Sequence, residues 1–140
     1  MKDSYGREIN YLRISLTDRC NLRCEYCMPE NGISNKMPPS SMLSLEEIYQ
    51  ITETFVELGI SKIRVSGGEP LVRHGAVDLI GSINKIPGVN EVTMTTNGVL
   101  LEQYAEELIK AGVKRLNISL DTLDEGKYAS ITRGGNLHKV

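Results

Sequence analysis

Three cysteines form the most chemically distinctive group in the sequence: Cys20, Cys24 and Cys27, in a C-x-x-x-C-x-x-C spacing. The chain contains no other cysteine. A structural zinc ion is normally closed by four protein ligands, and an electron-transfer iron–sulfur cluster is usually held by four cysteines. Three thiolates leave one coordination position without a protein ligand. The spacing therefore predicts a reactive metal centre, at which a small molecule binds the metal directly.

Other interpretations of the same cysteines stay open at this level. A zinc ion could take His74 or His138 as its fourth ligand. A redox dithiol could use Cys24 and Cys27, although a third nearby thiol is surplus to that chemistry. Buried structural cysteines would not need to cluster in a polar loop.

The cysteine loop follows a predicted strand at residues 11–16, in which apolar and polar side chains alternate. This order places the thiolates at the carboxyl end of a strand, where α/β proteins carry their active sites. Arg19 and Arg23 flank the cysteines. We expect these arginines to favour thiolates over thiols and to offset the negative charge of a sulfur-rich cluster.

A helix is predicted after the loop. Ser44 and Glu47 have the spacing of a capping box at its start, and Gly59 supplies a left-handed stop. Residues spaced three and four apart predict its buried face, namely Ile48, Ile51, Phe55 and Leu58.

The strand-and-helix unit then recurs along the chain. Further strands are predicted at residues 62–66, 91–96 and 115–121, and helices at 76–86 and 101–111. The last of these helices is predicted to turn one face inward, made of Leu101, Tyr104, Ala105, Leu108 and Ile109. Alternating elements with short connections predict parallel strands and right-handed crossovers. Residues 136–140 resemble the start of another helix, so we expect residues 1–140 to be the N-terminal part of a longer core domain.

All four predicted strands alternate, although buried parallel strands usually carry continuous apolar runs. The polar positions share one face: Arg13, Ser15, Arg64, Ser66, Thr93, Thr95, Asn117, Ser119 and Asp121. Arginines and hydroxyls suit fixed hydrogen bonding. We therefore predict that this face lines the interior of an open, incomplete barrel; a sheet with one solvated face is the alternative.

Composition is that of an ordinary globular protein of one domain: 140 residues, 40% hydrophobic, 24% charged, with a net charge of −2. No apolar run approaches the length of a membrane helix, and no secretory signal peptide is predicted. The odd cysteine count argues against a complete disulfide framework, so a reducing cytoplasm is expected. No basic tract indicates nucleic-acid binding.

Two motifs carry a family resemblance. The cysteine loop, with Tyr26 before its last cysteine, and the run Gly67-Gly68-Glu69-Pro70 after the second predicted strand resemble the signatures of radical S-adenosylmethionine (SAM) enzymes. The resemblance implies a 4Fe–4S cluster whose unligated iron binds the amino and carboxylate groups of SAM, and a 5′-deoxyadenosyl radical that abstracts hydrogen from substrate. It also implies the fold, an α/β chain forming the (βα)3-β4 N-terminal portion of an incomplete (β/α)6-type barrel.

Longer stretches resemble the N-terminal part of the GTP 3′,8-cyclase family within these enzymes: residues 5–7, 11–15, 17–29, 64–73, 95–98 and 117–121. This resemblance implies conversion of GTP to 3′,8-cyclo-7,8-dihydro-GTP in molybdenum cofactor biosynthesis. It implies GTP as substrate and an external one-electron reductant as partner, and leaves a homodimer of the full-length protein open. Neither a membrane nor a nucleic acid is an expected partner.

The resemblance also implies roles by position. Cys20, Cys24 and Cys27 would ligate the cluster, with SAM contacted by Tyr26, Gly68 and Ser119 and GTP by Arg13, Arg64 and Thr95. No catalytic side chain is assigned, and Arg73 and Asp121 receive no role.

Simpler alternatives accompany several of these positions. Arg64 could be a strand-end surface charge, and Tyr26 a hydrophobic staple of the loop. Gly67 and Gly68 could serve backbone freedom alone. Glu69 could accept the SAM amine, the interpretation we favour, or cap the next segment. Asn97-Gly98 is interpreted as turn chemistry.

One departure from the cyclase family bears on activity. That family places a second cluster, bound by three further cysteines in its C-terminal part, against the guanine. These 140 residues contain only the first three cysteines, so we expect them to ligate a cluster but not to turn over GTP alone. The alternatives are another radical SAM enzyme acting on a peptide or small metabolite, and a non-catalytic zinc-binding module.

Overall fold

A four-stranded parallel sheet forms the centre of the molecule, in a computed structural model that describes residues 2–32, 38 and 41–140. Its strands are β1 (Tyr11–Ser15), β2 (Lys62–Ser66), β3 (Glu91–Thr96) and β4 (Arg115–Ile118), and they lie side by side in chain order. The predicted parallel α/β fold, an open portion of a barrel, is confirmed. The strand β4 is shorter than predicted, since residues 119–121 continue beyond its last pair with β3.

The described part of the chain has four α-helices beside the sheet: α1 (Leu45–Glu57), α2 (Ala76–Asn84), α3 (Leu101–Lys110) and α4 (Glu125–Thr132). One-turn 3-10 helices lie at Pro70–Val72 and Leu137–Lys139. The helix α4 was not predicted. The C-terminal residues form only a 3-10 turn, so the prediction of another α-helix beginning there is wrong.

The N-terminus of α1 confirms the predicted capping box. The Ser44 hydroxyl accepts a hydrogen bond from the Glu47 amide at 3.1 Å, and the Glu47 carboxylate accepts one from the Ser44 amide at 2.7 Å. This exchange satisfies two backbone donors that have no intrahelical partner. At the other end Gly59 has a φ of 100°, as a left-handed stop requires.

The predicted buried face of α1 is partly wrong. Its buried residues are Ile48, Thr52 and Val56, whereas Ile51 is 41% and Leu58 55% exposed. Thr52 can occupy the core because its hydroxyl donates to the Ile48 carbonyl at 2.7 Å. A pattern of hydrophobic residues cannot predict the burial of a polar residue whose hydrogen bond is made within its own helix.

The core lies between the apolar face of the sheet and helices α1 to α3. It is built from branched aliphatic residues and one methionine, including Ile63, Val65, Val92, Met94, Ile80, Ile83 and Leu108. Ile109 of α3, predicted to face inward, lies outside the core and is 73% exposed, and Ile118 of β4 is 46% exposed.

Polar side chains of neighbouring strands lie next to one another on the predicted polar face of the sheet. Register places Arg13 beside Arg64, and Arg64 beside Thr93. Arg13 is exposed and Arg64 half-buried. In the part of the chain that the structure describes, no helix is long and apolar enough to cross a membrane.

Candidate metal and cofactor site

The three cysteines lie on a loop at the carboxyl end of β1. Cys20 and Cys24 are half-buried, Cys27 is exposed, and none is in a disulfide. The amides of Cys27 and Met28 both donate to the Cys24 carbonyl, at 3.1 and 3.0 Å. This tight turn holds Cys24 and Cys27 on one side of the loop.

The Cys20 sulfur accepts hydrogen bonds from the Leu22 amide at 3.4 Å and from the Asn97 side-chain amide at 3.7 Å. Donors of this kind stabilise a thiolate and tune an iron–sulfur cluster. Asn97 also donates to the Asn21 side chain at 2.7 Å. The interpretation of Asn97-Gly98 as turn chemistry alone is therefore incomplete, because Asn97 ties the end of β3 to the cysteine loop.

The expected effect of the flanking arginines is wrong for Cys24. Burial raises the pKa of the Cys24 thiol, and the neighbouring Cys27 raises it further. The Arg23 guanidinium instead donates to the backbone carbonyls of Cys20 and Leu22, at 2.8 and 3.0 Å. Binding of each thiolate to a positively charged iron would offset this repulsion, so the pair fits a metal cluster.

A ready-made site for a single metal ion is not present among the described residues, where no three His, Cys, Asp or Glu side chains converge. The zinc alternative is not supported. His138 lies 3.0 Å from the Glu125 carboxylate, and His74 is exposed on the segment before α2.

Gly67 and Gly68 are required by the close approach of two backbones. The Gly68 amide donates to the Thr17 carbonyl at 2.7 Å. A Cβ on Gly68 would overlap the Arg19 carbonyl, and one on Gly67 would lie 2.9 Å from the Thr17 carbonyl oxygen. Neither glycine has a positive φ, so backbone freedom alone does not explain them. The glycines let the end of β2 pack directly against the start of the cysteine loop.

Glu69 is fully buried and its carboxylate is occupied by protein donors. One oxygen accepts from the Leu71 amide at 3.1 Å and from the Thr96 hydroxyl at 2.9 Å. The other accepts from the Asn97 amide at 2.7 Å. These bonds support the capping interpretation, over the SAM amine contact that the sequence favoured.

Tyr26 reaches from the cysteine loop to the segment after β4. Its hydroxyl donates to the Asp121 carboxylate at 2.9 Å, and this bond is the main reason why the pKa of Tyr26 is raised. The side chain is 66% exposed, so Tyr26 is not a hydrophobic staple of the loop. The bond gives Asp121, left without a role by the sequence, a part in positioning the loop.

The helix α4 supports the cysteine loop from the opposite side. Its last two carbonyls, of Ile131 and Thr132, accept from the Glu25 and Arg23 amides at 2.9 and 3.2 Å. The following Arg133 donates to the Arg23 and Met28 carbonyls at 3.1 and 2.7 Å. A sequence signal for α4 existed in Asp124, whose side chain accepts from the Lys127 amide and caps the helix.

The remaining residues with predicted roles lie on the sheet and its carboxyl edge. Arg64 leaves its Nε buried without a hydrogen-bond partner among the described residues, and its guanidinium lies 5.7 Å from the centre of the Tyr11 ring. Thr95, half-buried, pairs with Asn117. Exposed Ser119 follows β4 and donates its amide to the Thr96 carbonyl at 2.9 Å.

These positions separate into two groups. Gly68 and Ser119 follow the carboxyl ends of β2 and β4, on the side of the cysteine loop. Arg13 and Arg64 form one register row within the sheet.

The family model for the radical SAM superfamily matches residues 14–140. The chain therefore belongs to the radical SAM superfamily, and its cofactors are a 4Fe–4S cluster and SAM. The cysteine loop fits that cofactor pair, because three cysteines would leave one of four irons for SAM.

Curated relatives show a more specific similarity within this superfamily. The chain is 59% identical over 138 residues to GTP 3′,8-cyclase of Peptoclostridium acidaminophilum, covering 99% of this chain and 42% of that protein. It is 56% and 58% identical over 140 residues to the enzymes of the same name from Thermodesulfovibrio yellowstonii and Petrotoga mobilis, covering all of this chain and 44% and 43% of theirs. The chain thus spans less than half the length of these relatives.

Two solved structures share the fold at low sequence identity. Crystal structures of BtrN, in an open conformation and in complex with AdoMet and 2-DOIA, superpose with TM-scores of 0.59 and 0.60 at 19% and 18% identity. The superpositions cover 87% and 89% of this chain, and 55% and 51% of BtrN.

Proposed function

We propose that these residues act as the N-terminal part of a GTP 3′,8-cyclase, which converts GTP to 3′,8-cyclo-7,8-dihydro-GTP in molybdenum cofactor biosynthesis. The observation that carries the proposal is the 59% identity across 99% of the chain to an enzyme of that name. The polar sheet face supports the same assignment, because it offers arginines to a phosphate-bearing substrate.

In this proposal Cys20, Cys24 and Cys27 hold the cluster at the carboxyl edge of the sheet. When bound, the cluster supplies the single electron that cleaves SAM and so provides the 5′-deoxyadenosyl radical. Gly68, Ser119 and Tyr26 bind SAM at the same edge. The Tyr26 hydroxyl, held by Asp121 at 2.9 Å, fixes the loop against the edge where SAM binds.

GTP binds the polar face through Arg13, Arg64 and Thr95. The rigid fork of a guanidinium matches phosphate oxygens with paired, charge-assisted hydrogen bonds. Arg64 supports this role, because its buried Nε has no protein partner among the described residues, and an unpaired buried donor favours a ligand acceptor. Arg13 lies beside Arg64 in register and is exposed.

The wider context belongs to the same proposal. Residues 1–140 form the N-terminal part of a radical SAM core domain, and the rest of the barrel and a second cluster belong to a C-terminal part. The protein works in a reducing cytoplasm and takes electrons from an external one-electron donor.

The test is anaerobic reconstitution of these 140 residues with iron and sulfide, followed by electron paramagnetic resonance of the reduced sample. We expect a cluster signal that changes when SAM is added, and no cyclised product from GTP and reductant. Cyclisation by the 140 residues would contradict the proposed division of labour. Absence of a cluster, with stable zinc binding instead, would contradict the enzyme assignment.

Substrate class is tested by equilibrium binding in a protein that also carries the C-terminal part. Arg64→Lys keeps the charge but removes the guanidinium fork, so we expect GTP to bind about tenfold more weakly while SAM binding is unchanged. The matched control is Arg115→Lys, whose parent guanidinium is already paired with Glu91 at 3.2 Å. Equal GTP affinity in the Arg64 variant and its parent would contradict the assignment of this face to GTP.

A further inference from the structure

Tyr128 is the only tyrosine that is fully buried among the described residues, with 2% of its surface exposed. Its hydroxyl has no hydrogen-bond partner in the described part of the chain. A buried hydroxyl without a partner is unfavourable, and most buried polar atoms in folded proteins are paired. A phenylalanine would fill the same space without that penalty. The buried hydroxyl therefore indicates a hydrogen-bond acceptor that the described protein residues do not provide.

The position of Tyr128 points to the cysteine loop. Tyr128 lies one turn before Thr132 on α4, and the Thr132 hydroxyl donates to the Tyr128 carbonyl. The last two carbonyls of that helix, of Ile131 and Thr132, accept from the amides on either side of Cys24. Tyr128 therefore lies within one turn of the carbonyls through which α4 binds the cysteine loop.

Electrostatics agree with this placement. Burial raises the pKa of Tyr128, and the charges of Cys24, Asp121 and Cys20 raise it further, in that order. The phenol therefore lies within electrostatic range of two of the three cluster ligands. One side of the ring faces Gly135, where a Cβ would lie 3.0 Å from the Tyr128 Cε1 atom.

We propose that the Tyr128 hydroxyl donates a hydrogen bond to a sulfur of the bound cluster on the Cys24 side, and so raises the reduction potential of the cluster. In this role Tyr128 acts directly on the cluster. Hydrogen bonds to cluster sulfurs are one of the factors that set the potential. They stabilise the more negative, reduced state most. The inference rests on the cluster and not on GTP as substrate.

The experiment compares Tyr128→Phe with the parent protein, both reconstituted anaerobically with iron and sulfide. Tyr49→Phe is the matched control, because the Tyr49 hydroxyl donates at 3.3 Å to Glu53 on α1, outside the cysteine loop. Potentiometric titration, read by electron paramagnetic resonance, measures the midpoint potential. We expect full iron content in all three proteins, a more negative potential in Tyr128→Phe and the parent value in Tyr49→Phe.

A second variant covers the case in which Tyr128→Phe loads iron poorly. Replacing Tyr128 by 3-fluorotyrosine keeps the shape and makes the hydroxyl a stronger donor, so the potential should become more positive. An unchanged potential in an iron-loaded Tyr128→Phe protein overturns the inference alone, and so does an unchanged potential in the fluorinated protein. A parent protein that takes up no iron overturns both the inference and the cluster assignment.

Discussion

The glycine-rich turn at residues 67–70 and the cysteine loop at residues 20–27 lie side by side but are stabilised differently. The turn is held by close packing and by the buried carboxylate of Glu69, which accepts three hydrogen bonds. The cysteine loop is half-exposed and is held by contacts from distant parts of the chain, including Asn97, Asp121 and α4. The turn is therefore a fixed platform, whereas the loop depends on its neighbours and on the iron that it binds.

The largest effect should follow from removing one ligand of the loop. Cys24→Ala should abolish cluster binding, because two thiolates cannot retain the cluster, while the apo protein stays folded since Cys24 is only half-buried. Iron content and the resonance signal after reconstitution measure the loss. Glu25→Gln, at an exposed position in the same loop, is the control and should load normally. A full cluster in Cys24→Ala would contradict its role as a ligand.

The platform should instead be broken by one methyl group. Gly68→Ala places a Cβ against the Arg19 carbonyl, so the two backbones must separate, at a cost of about 3 kcal/mol in the free energy of unfolding. Denaturant unfolding of the apo protein measures it. The control is Gly126→Ala in α4, where the nearest atom to the new Cβ is an Asp124 carboxylate oxygen at 3.4 Å. Equal stabilities of the two variants would mean that the backbone of the turn can move to accept the methyl group without loss of stability.

Glu69→Gln tests the electrostatic part of the platform. One oxygen becomes an amide group that cannot accept the bond it receives in the parent, so we expect a loss of about 2 kcal/mol in unfolding free energy. The exposed Glu57→Gln at the end of α1 is the control and should be nearly neutral. A Glu69→Gln protein as stable as its parent, but deficient in SAM binding, would restore the cofactor contact that the sequence favoured.

The smallest expected effect belongs to the bond between Tyr26 and Asp121. Tyr26→Phe removes one exposed hydrogen bond and should lower the unfolding free energy by at most about 1 kcal/mol. Faster amide hydrogen exchange in the loop should report the change, whereas Tyr5→Phe, at an 84% exposed position, should leave that exchange unaltered.

The same bond predicts a pH dependence. The pKa of Tyr26 is raised above its ordinary value of 10.0 in the folded protein, so the folded state keeps this proton more tightly than the unfolded state. The contribution of the bond is therefore complete below about pH 10 and falls as the pH rises above that value. The difference in stability between parent and Tyr26→Phe should shrink between pH 9 and 11. A constant difference would show that the bond does not favour the protonated tyrosine.

Sequence reasoning was most successful where structure is local. The bounds of β2 and β3 and the capping box at Ser44 agree with the structure, because alternation and capping depend on residues only a few positions apart. The cysteine loop could be recognised from its motif for the same reason, because the motif residues are close together in the sequence.

The supports of the loop could not be predicted, because they join residues far apart in sequence. The hydrogen bond from Asn97 to Cys20 spans 77 positions, and that from Tyr26 to Asp121 spans 95. The helix α4 was missed because its exposed and buried residues do not separate into a clear apolar stripe, and only Tyr128 and Thr132 in it are buried. Exposed Ile109 on α3 was misjudged because apolarity alone does not specify which side of a helix faces the sheet.

The strand order β1-β2-β3-β4 has a consequence for how the sheet assembles. Each strand pairs with the one that precedes it along the chain, so a ribosome can deliver the strands in the order in which they pair. After each addition the newest strand is an open edge, and its unpaired amides and carbonyls invite association with other chains. The helices between the strands cover the apolar face as synthesis proceeds, which leaves the newest strand and the outer edge of β1 as the exposed edges of the growing sheet.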